Sequence, residues 1–360
     1  MPLPIECLDW FAHACPPCGA TDSGGAFAPP RRPDGLSHHQ AAPRVQKLVD
    51  GLDAAVAGLA AAKRGLAVAV CDHGRRRALR GPGDCGALPG MSHVLLAGPS
   101  GSGKTHLVHT LSGLLDVPFL SVDAADLVPC PRRGADLSVI GRRLLDQCAG
   151  DREAASRGVV FMDGLERLVA DPDDRAAPGR VLQEALLDLL DGHPLRVPVP
   201  GAVLELPMRD ILFIAAGVPA GRLLGGIAGS HLPADPSVNP FPGLMPELLA
   251  RFSTQLRLPA PDAAQLTAVL RHPRGPLASC RRLFAFEKVD LAVTAAAVAV
   301  LVRACRRKGD GTASLQRLLE TALRPALFAL PAFPGLRRIW LDAAGEELFV
   351  SLAEPLTHAG

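Results

Sequence analysis

Gly98-Pro99-Ser100-Gly101-Ser102-Gly103-Lys104-Thr105 fits the pattern GxxxxGK[ST] at every position. The stretch follows an apolar run, His93 to Ala97, that reads as a strand, and it opens a helical stretch from Lys104 to Leu115. Glycines carry no Cβ, so successive backbone N–H groups can turn inward around an anion. The following helix presents its positive end to the same point. Pro99, Ser100, Gly101, Ser102 and Gly103 are therefore expected to wrap nucleotide phosphates, with His106 beside them. Lys104 would reach the terminal phosphates, and the Thr105 hydroxyl would serve Mg²⁺.

Moving outward, Gly158-Val159-Val160-Phe161-Met162-Asp163 is an apolar strand ending in a carboxylate, 58 residues after Thr105. Such a carboxylate holds Mg²⁺ through its hydration shell. Further strands are read at Phe119–Val122 and Ile211–Ala215, and helices at Leu137–Ala149 and Val181–Leu190, the latter stopped by Gly192. Alternating strands and helices predict an α/β fold, a parallel sheet with helices on both faces. Upstream, a helical pattern runs from about Val45 to Arg77. Beyond Pro259 the reading is helical until two short strands, Arg338–Leu341 and Glu347–Leu352. The expected organisation is an irregular extension over 1–44 and a large nucleotide-binding domain over 45–258. A smaller, mainly helical domain over 259–353 and a tail over 354–360 complete it.

Composition narrows the function classes. The chain has 360 residues, 38 basic and 36 acidic, for a net charge of +2. That balance, with 12 Phe, 2 Trp and no Tyr, argues against a nucleic-acid gripper or a base-stacking platform. Only five of the basic residues are lysines, and Lys104 is one of them. Nine scattered cysteines do not form a secreted disulfide framework. No basic-then-apolar start resembles a signal peptide. The longest uncharged apolar run, Leu291 to Val302, is 12 residues, too short for a bilayer, and reads as a buried helix. The expectation is a cytoplasmic protein with no membrane partner.

From about residue 43 to 350 these segments resemble the AAA+ ATPases, and among them the ClpX type of the Clp/HslU family. The resemblance rests on the phosphate-binding loop and the Asp163 strand, and on Leu114-Leu115-Asp116-Val117-Pro118-Phe119. Gln183 through Gly192, Ile211-Leu212-Phe213-Ile214 and Val289-Asp290-Leu291 carry it further. Val56-Ala57-Gly58-Leu59, followed by Leu66-Ala67-Val68-Ala69-Val70, looks like the segment lining the family's adenine pocket, which makes Val56 and Ala57 nucleotide contacts. Met245-Pro246-Glu247-Leu248-Leu249-Ala250-Arg251-Phe252 looks like the arginine-finger motif. The resemblance thus implies ATP and Mg²⁺ as cofactors, with Lys104, Asp163 and Arg251 in catalysis. Arg251 would act on the γ-phosphate of a neighbouring subunit. It also implies a ring, a hexamer in the family, and ATP-driven unfolding or remodelling of protein substrates.

The departures from that family are specific. The glutamate that follows the metal aspartate and deprotonates the attacking water is replaced by Gly164, with Glu166 two residues on. Ala313 stands where the family's second sensor arginine would be, with Arg317 one helical turn further. The aromatic pore loop becomes Pro131-Arg132-Arg133-Gly134, and the loop that docks on the ClpP peptidase is largely missing between Gly225 and Phe241. Docking on that peptidase is accordingly unsupported. Cys15-Pro16-Pro17-Cys18 has no second pair, so zinc (with Cys7, His13, His38 or His39), redox chemistry and a plain cysteine-bearing tail all stay open. Two functional readings lead. One is a working remodelling ATPase; the other is a hydrolysis-deficient nucleotide-binding scaffold or regulatory subunit, mixed in a ring with an active paralogue. A third, a nucleic-acid-linked AAA+ protein using Arg132 and Arg133 around a central pore, has the balanced charge and the scarce aromatics against it.

Overall fold

A computed structural model describes residues 41–79, 91–127, 137–169, 178–199, 201–219, 241–308, 311–333 and 335–351. Two helices, Ala41–Asp53 (α1) and Ala60–Leu79 (α2), precede the strand Val94–Ala97 (β1). Lys104–Ser112 (α3), Phe119–Asp123 (β2), Ala124–Leu127 (α4), Ser138–Gln147 (α5), Arg152–Ala155 (α6) and Val159–Asp163 (β3) follow. Past a 3₁₀ turn at Leu165–Leu168 come Pro178–Leu190 (α7) and a hairpin of Leu195–Val199 (β4) and Ala202–Leu206 (β5). Leu212–Gly217 (β6), Pro246–Ala250 (α8) and Thr254–Arg257 (β7) complete this part. The remainder is Ala263–Arg271 (α9), Pro276–Phe286 (α10), Asp290–Val293 (β8), Ala295–Lys308 (α11), Thr312–Ala329 (α12), Arg338–Ala344 (β9) and Glu347–Ser351 (β10).

β2, β3, β6, β1 and β7 lie side by side in that order, all parallel. Central parallel strands are buried on both faces, which is why β1, β3 and β6 are apolar almost throughout. Their alternation splits the core in two. Leu95, Val160, Met162, Phe213 and Ala215 pack towards α5, α7 and α8. Val94, Leu96, Val159, Phe161 and Ile214 pack towards α1, α2 and α3. A third core joins α9 to α12 with β8 and β9, through residues such as Leu270, Phe284, Leu301, Leu319 and Leu341. The register sets Asp123 beside Asp163, Asp163 beside Ala216, and Ala97 beside Gly217. The carboxyl ends of four strands therefore finish level, and ligands of open parallel sheets sit at that edge.

Three local expectations change. The first helix begins at Ala41 rather than Val45. The apolar run Leu291–Val302 is not one helix: β8 ends at Val293 and α11 starts at Ala295. Thr294 makes the break, because its hydroxyl accepts from Ala297 N–H at 3.1 Å, as an N-cap does, while donating to Asp342 at 2.6 Å. The β4–β5 hairpin was unanticipated. Its pattern is hidden by Pro198 and by an outward Val203, and its turn rests on Gly201 at φ +79°. Among the described residues no helix is long and apolar enough to cross a membrane. The Cys15–Cys18 pair, its neighbouring histidines and the Pro131–Gly134 stretch lie outside the described residues.

Candidate functional site

The loop between β1 and α3 owes its shape to its glycines. Gly101 and Gly103 sit at φ +70° and +94°, where a side chain would be strained. Gly98 is pressed against β7's end, since a Cβ there would fall 2.4 Å from the Leu258 carbonyl oxygen. Lys104, the first residue of α3, is buried, and its Nζ donates to the Gly98 and Pro99 carbonyls, each at 2.8 Å. Burial pushes the Lys104 ammonium below its usual pKa, while the nearby Glu166 and Asp163 carboxylates pull it back. Thr105 Oγ1 donates to Asp163 Oδ2 at 2.6 Å, joining α3 to the end of β3. Ser102 Oγ is buried in the loop with no hydrogen-bond partner among the described residues.

Beyond Asp163 the chain turns sharply. Gly164 is left-handed (φ 79°, ψ 42°), and the 3₁₀ turn that follows brings Glu166 and Arg167 to the same edge. Glu166 Oε2 accepts from Val218 N–H, just past β6, at 2.8 Å. Arg167 crosses Gly164 and donates to both oxygens of Asp123 at 2.7 and 2.6 Å. A Cβ on Gly164 would lie 3.1 Å from Arg167 Nε.

These groups line one cavity of about 610 Å³. Its walls include Val56, Ala57 and Leu59, the loop from Ser100 to His106, and Asp123, Asp163, Gly164, Glu166 and Arg167. Gln265, His272, Arg274, Thr312, Ala313 and Gln316 face it from beyond β7. The Val56 turn is held by Lys63, which is buried and donates to the Val56 carbonyl at 2.5 Å and to Asp53 at 2.6 Å. Opposite, α12 docks on the phosphate loop: Thr312 N–H and Oγ1 both donate to the Gly101 carbonyl, at 3.0 and 3.1 Å.

The structure thus brings together Val56, Ala57, Ser100, Gly101, Ser102, Gly103, Lys104, Thr105, His106 and Asp163. Pro99 contributes its carbonyl, which accepts from Lys104 and from Ser102 N–H, and does not line the cavity. Arg251 stands apart from this chain's own cavity, paired with Asp191 through Nε and, at 3.0 Å, through a second guanidinium nitrogen. That pair lowers the Asp191 pKa, chiefly through the Arg251 hydrogen bond. Arg317 is exposed and outside the cavity; Gln316 and Ala313 face it instead. Asp123 and Arg167 were missed. The available signal was that the second strand, like the third, ends at an Asp.

The residues fit a polyphosphate carrying a divalent cation. An unpartnered hydroxyl at Ser102 and an ammonium bonded to loop carbonyls suit phosphate oxygens. A paired Thr hydroxyl and Asp carboxylate supply the oxygen donors Mg²⁺ prefers.

Comparison with known proteins points the same way. Residues 94–223 match the family described as "ATPase family associated with various cellular activities (AAA)". The chain is 32% identical to an "ATP-dependent Clp protease ATP-binding subunit ClpX" of Azotobacter vinelandii, over 86% of this chain and 80% of that protein. It is 30% identical to a ClpX 3 subunit of Methylococcus capsulatus, over 85% and 80%. A ClpX 2 subunit of Wolinella succinogenes is 29% identical over 81% and 78%.

Proposed function

The chain belongs to the ClpX family of AAA ATPases, and from that premise we propose that it is a ClpX-like chaperone subunit that binds ATP with Mg²⁺ and remodels protein substrates. The observation that carries the reading is the 2.6 Å bond between Thr105 and Asp163 at the mouth of the phosphate loop. Lys104 would hold the terminal phosphates, the loop from Ser100 to Gly103 would wrap them, and Val56 and Ala57 would flank the base. Thr105 and Asp163 would hold Mg²⁺, which supplies charge neutralisation between the phosphates. In this reading residues 45–258 are the nucleotide-binding domain and 259–353 the smaller domain that closes the cavity. Subunits assemble into a ring, a hexamer by family, in which Arg251 serves the neighbouring site. Nucleic acid, membrane and the ClpP peptidase are not proposed as partners.

A second reading is favoured by Gly164 and Ala313: a subunit that holds ATP but hydrolyses it poorly and acts as scaffold or regulator, alone or in a ring with an active paralogue. Two measurements separate the readings. Binding of a fluorescent ATP analogue with Mg²⁺ is expected, and Lys104→Ala should weaken it by about 10- to 100-fold, the worth of one or two charge-assisted hydrogen bonds. Failure of the unaltered protein to bind ATP would remove the nucleotide reading altogether. Phosphate release near a typical ~10 s⁻¹ would exclude the scaffold reading, whereas bound ATP that is never hydrolysed would exclude the motor.

A further inference from the structure

The missing carboxylate at position 164 leaves open where the proton of an attacking water would go. Three carboxylates line the phosphate end of the cavity: Asp123, Asp163 and Glu166. Asp163 is engaged by the Thr105 hydroxyl, in the place suited to a cation. Asp123 is neutralised at both oxygens by Arg167. Glu166 differs from both. Its Oε2 is fixed by the Val218 N–H, and among the described residues its other oxygen takes part in no hydrogen bond or ion pair. The carboxylate is also close enough to the buried Lys104 ammonium to act on its charge, as Asp163 is. A carboxylate oriented at one oxygen, open at the other and set beside the lysine of the phosphate loop has the attributes a base requires.

Gly164 makes this arrangement possible. Its left-handed conformation starts the tight turn that carries Glu166 back to the end of β6. A side chain at 164 would meet Arg167, which spans the turn to Asp123. The glycine and the displaced glutamate therefore form one unit, rather than a simple loss.

We propose that Glu166 is the general base of ATP hydrolysis in this chain; the inference rests on the nucleotide reading above. In the step, the water oxygen bonds to the γ-phosphorus as the bond from that phosphorus to the β–γ bridging oxygen breaks. The bridging electron pair leaves with ADP, and one water proton passes to the unbonded Glu166 oxygen. The products are ADP and inorganic phosphate, and Glu166 then returns its proton to solvent.

Glu166→Gln is the informative variant, because a glutamine carbonyl can still accept from Val218 N–H while it cannot take the water's proton. The full chain is tested for fluorescent-nucleotide affinity, for the identity of bound nucleotide after acid quench, and for phosphate release. The expected result is ATP affinity within about threefold of the unaltered protein, bound nucleotide that stays ATP, and release lowered roughly 10²–10⁴-fold. Added formate should raise the rate of Glu166→Ala, a readout that holds even if the glutamine variant folds poorly. Release from Glu166→Gln at the unaltered rate would reduce Glu166 to a clamp on Val218 and overturn the proposal. An unaltered protein that binds ATP but never releases phosphate would overturn it too. Absence of ATP binding in the unaltered protein is a different failure, that of the nucleotide reading itself.

Discussion

His93 is held in a single tautomer. Its Nδ1 accepts from Phe213 N–H at 3.2 Å, so the proton sits on Nε2, which donates to the Leu190 carbonyl at 3.1 Å. The ring is buried edge-on to Phe213, 5.3 Å between centroids. Burial pushes its pKa down to about 4. His73 is shifted in the same direction, again chiefly by burial. A folded pKa below the unfolded one means the stabilisation is complete above the ordinary value of about 6.5 and is lost as pH falls from there towards 4. Denaturant midpoints should therefore fall between pH 7.5 and 5.5, with His93 accounting for about 1–2 kcal/mol. His93→Gln, whose amide can keep both hydrogen bonds, should flatten that part of the profile. An equal pH dependence in the two proteins would show that His93 does not stay neutral. Nothing in the sequence marked this histidine, since its character comes from long-range contacts to β6 and to the residue before Asp191.

At the scale of elements, the docking of α12 on the phosphate loop depends on Gly311. Its backbone (φ 59°, ψ −142°) is one that only glycine adopts readily, and a Cβ there would fall 2.3 Å from the Gly101 carbonyl oxygen. Gly311→Ala should separate α12 from the loop, cost about 1–3 kcal/mol of stability and weaken ATP binding measurably in protein that is still folded. Unchanged nucleotide affinity would mean that this contact does not shape the site. Four of the five sheet strands were legible because β1, β3 and β6 are apolar runs tied to turn glycines, β2 leads to an Asp, and the phosphate loop carries its own spacing. The edge strand β7 was not read, since it alternates half-buried and exposed residues over only four positions. Legibility failed where context decides. β8 merged with α11 because Leu291–Val302 is uniformly apolar and a single hydroxyl, Thr294, divides it. The β4–β5 hairpin stayed hidden because its inner side is read only against α5, where Gly141 leaves room for Val197: a Cβ there would lie 2.4 Å from Val197 Cγ2. Among site residues, those defined by local pattern were found. Asp123 offered only the signal of a second strand ending in Asp, and Arg167 required knowing that β2 and β3 are neighbours in register.

For the whole molecule, the proposed ring turns on a group that its own cavity does not use. Arg251 caps α8, is partly exposed, and is held by Asp191 at the end of α7. This pairing holds the guanidinium at the surface, outside the cavity that carries the phosphate loop. If Arg251 serves a neighbour, then a competent site needs Lys104 from one subunit and Arg251 from the next. Arg251→Ala and Lys104→Ala should each lower phosphate release in the homogeneous assembly, the former by roughly 10³-fold or more. In an equal random mixture, half the subunits keep Lys104 and half of their neighbours keep Arg251. About a quarter of the sites should then recover, and release should climb towards that fraction of the unaltered rate. Titrating one variant into the other and following phosphate release tests this directly. A mixture no faster than its components would mean that Arg251 does not act between subunits, and the ring would lose its catalytic reason.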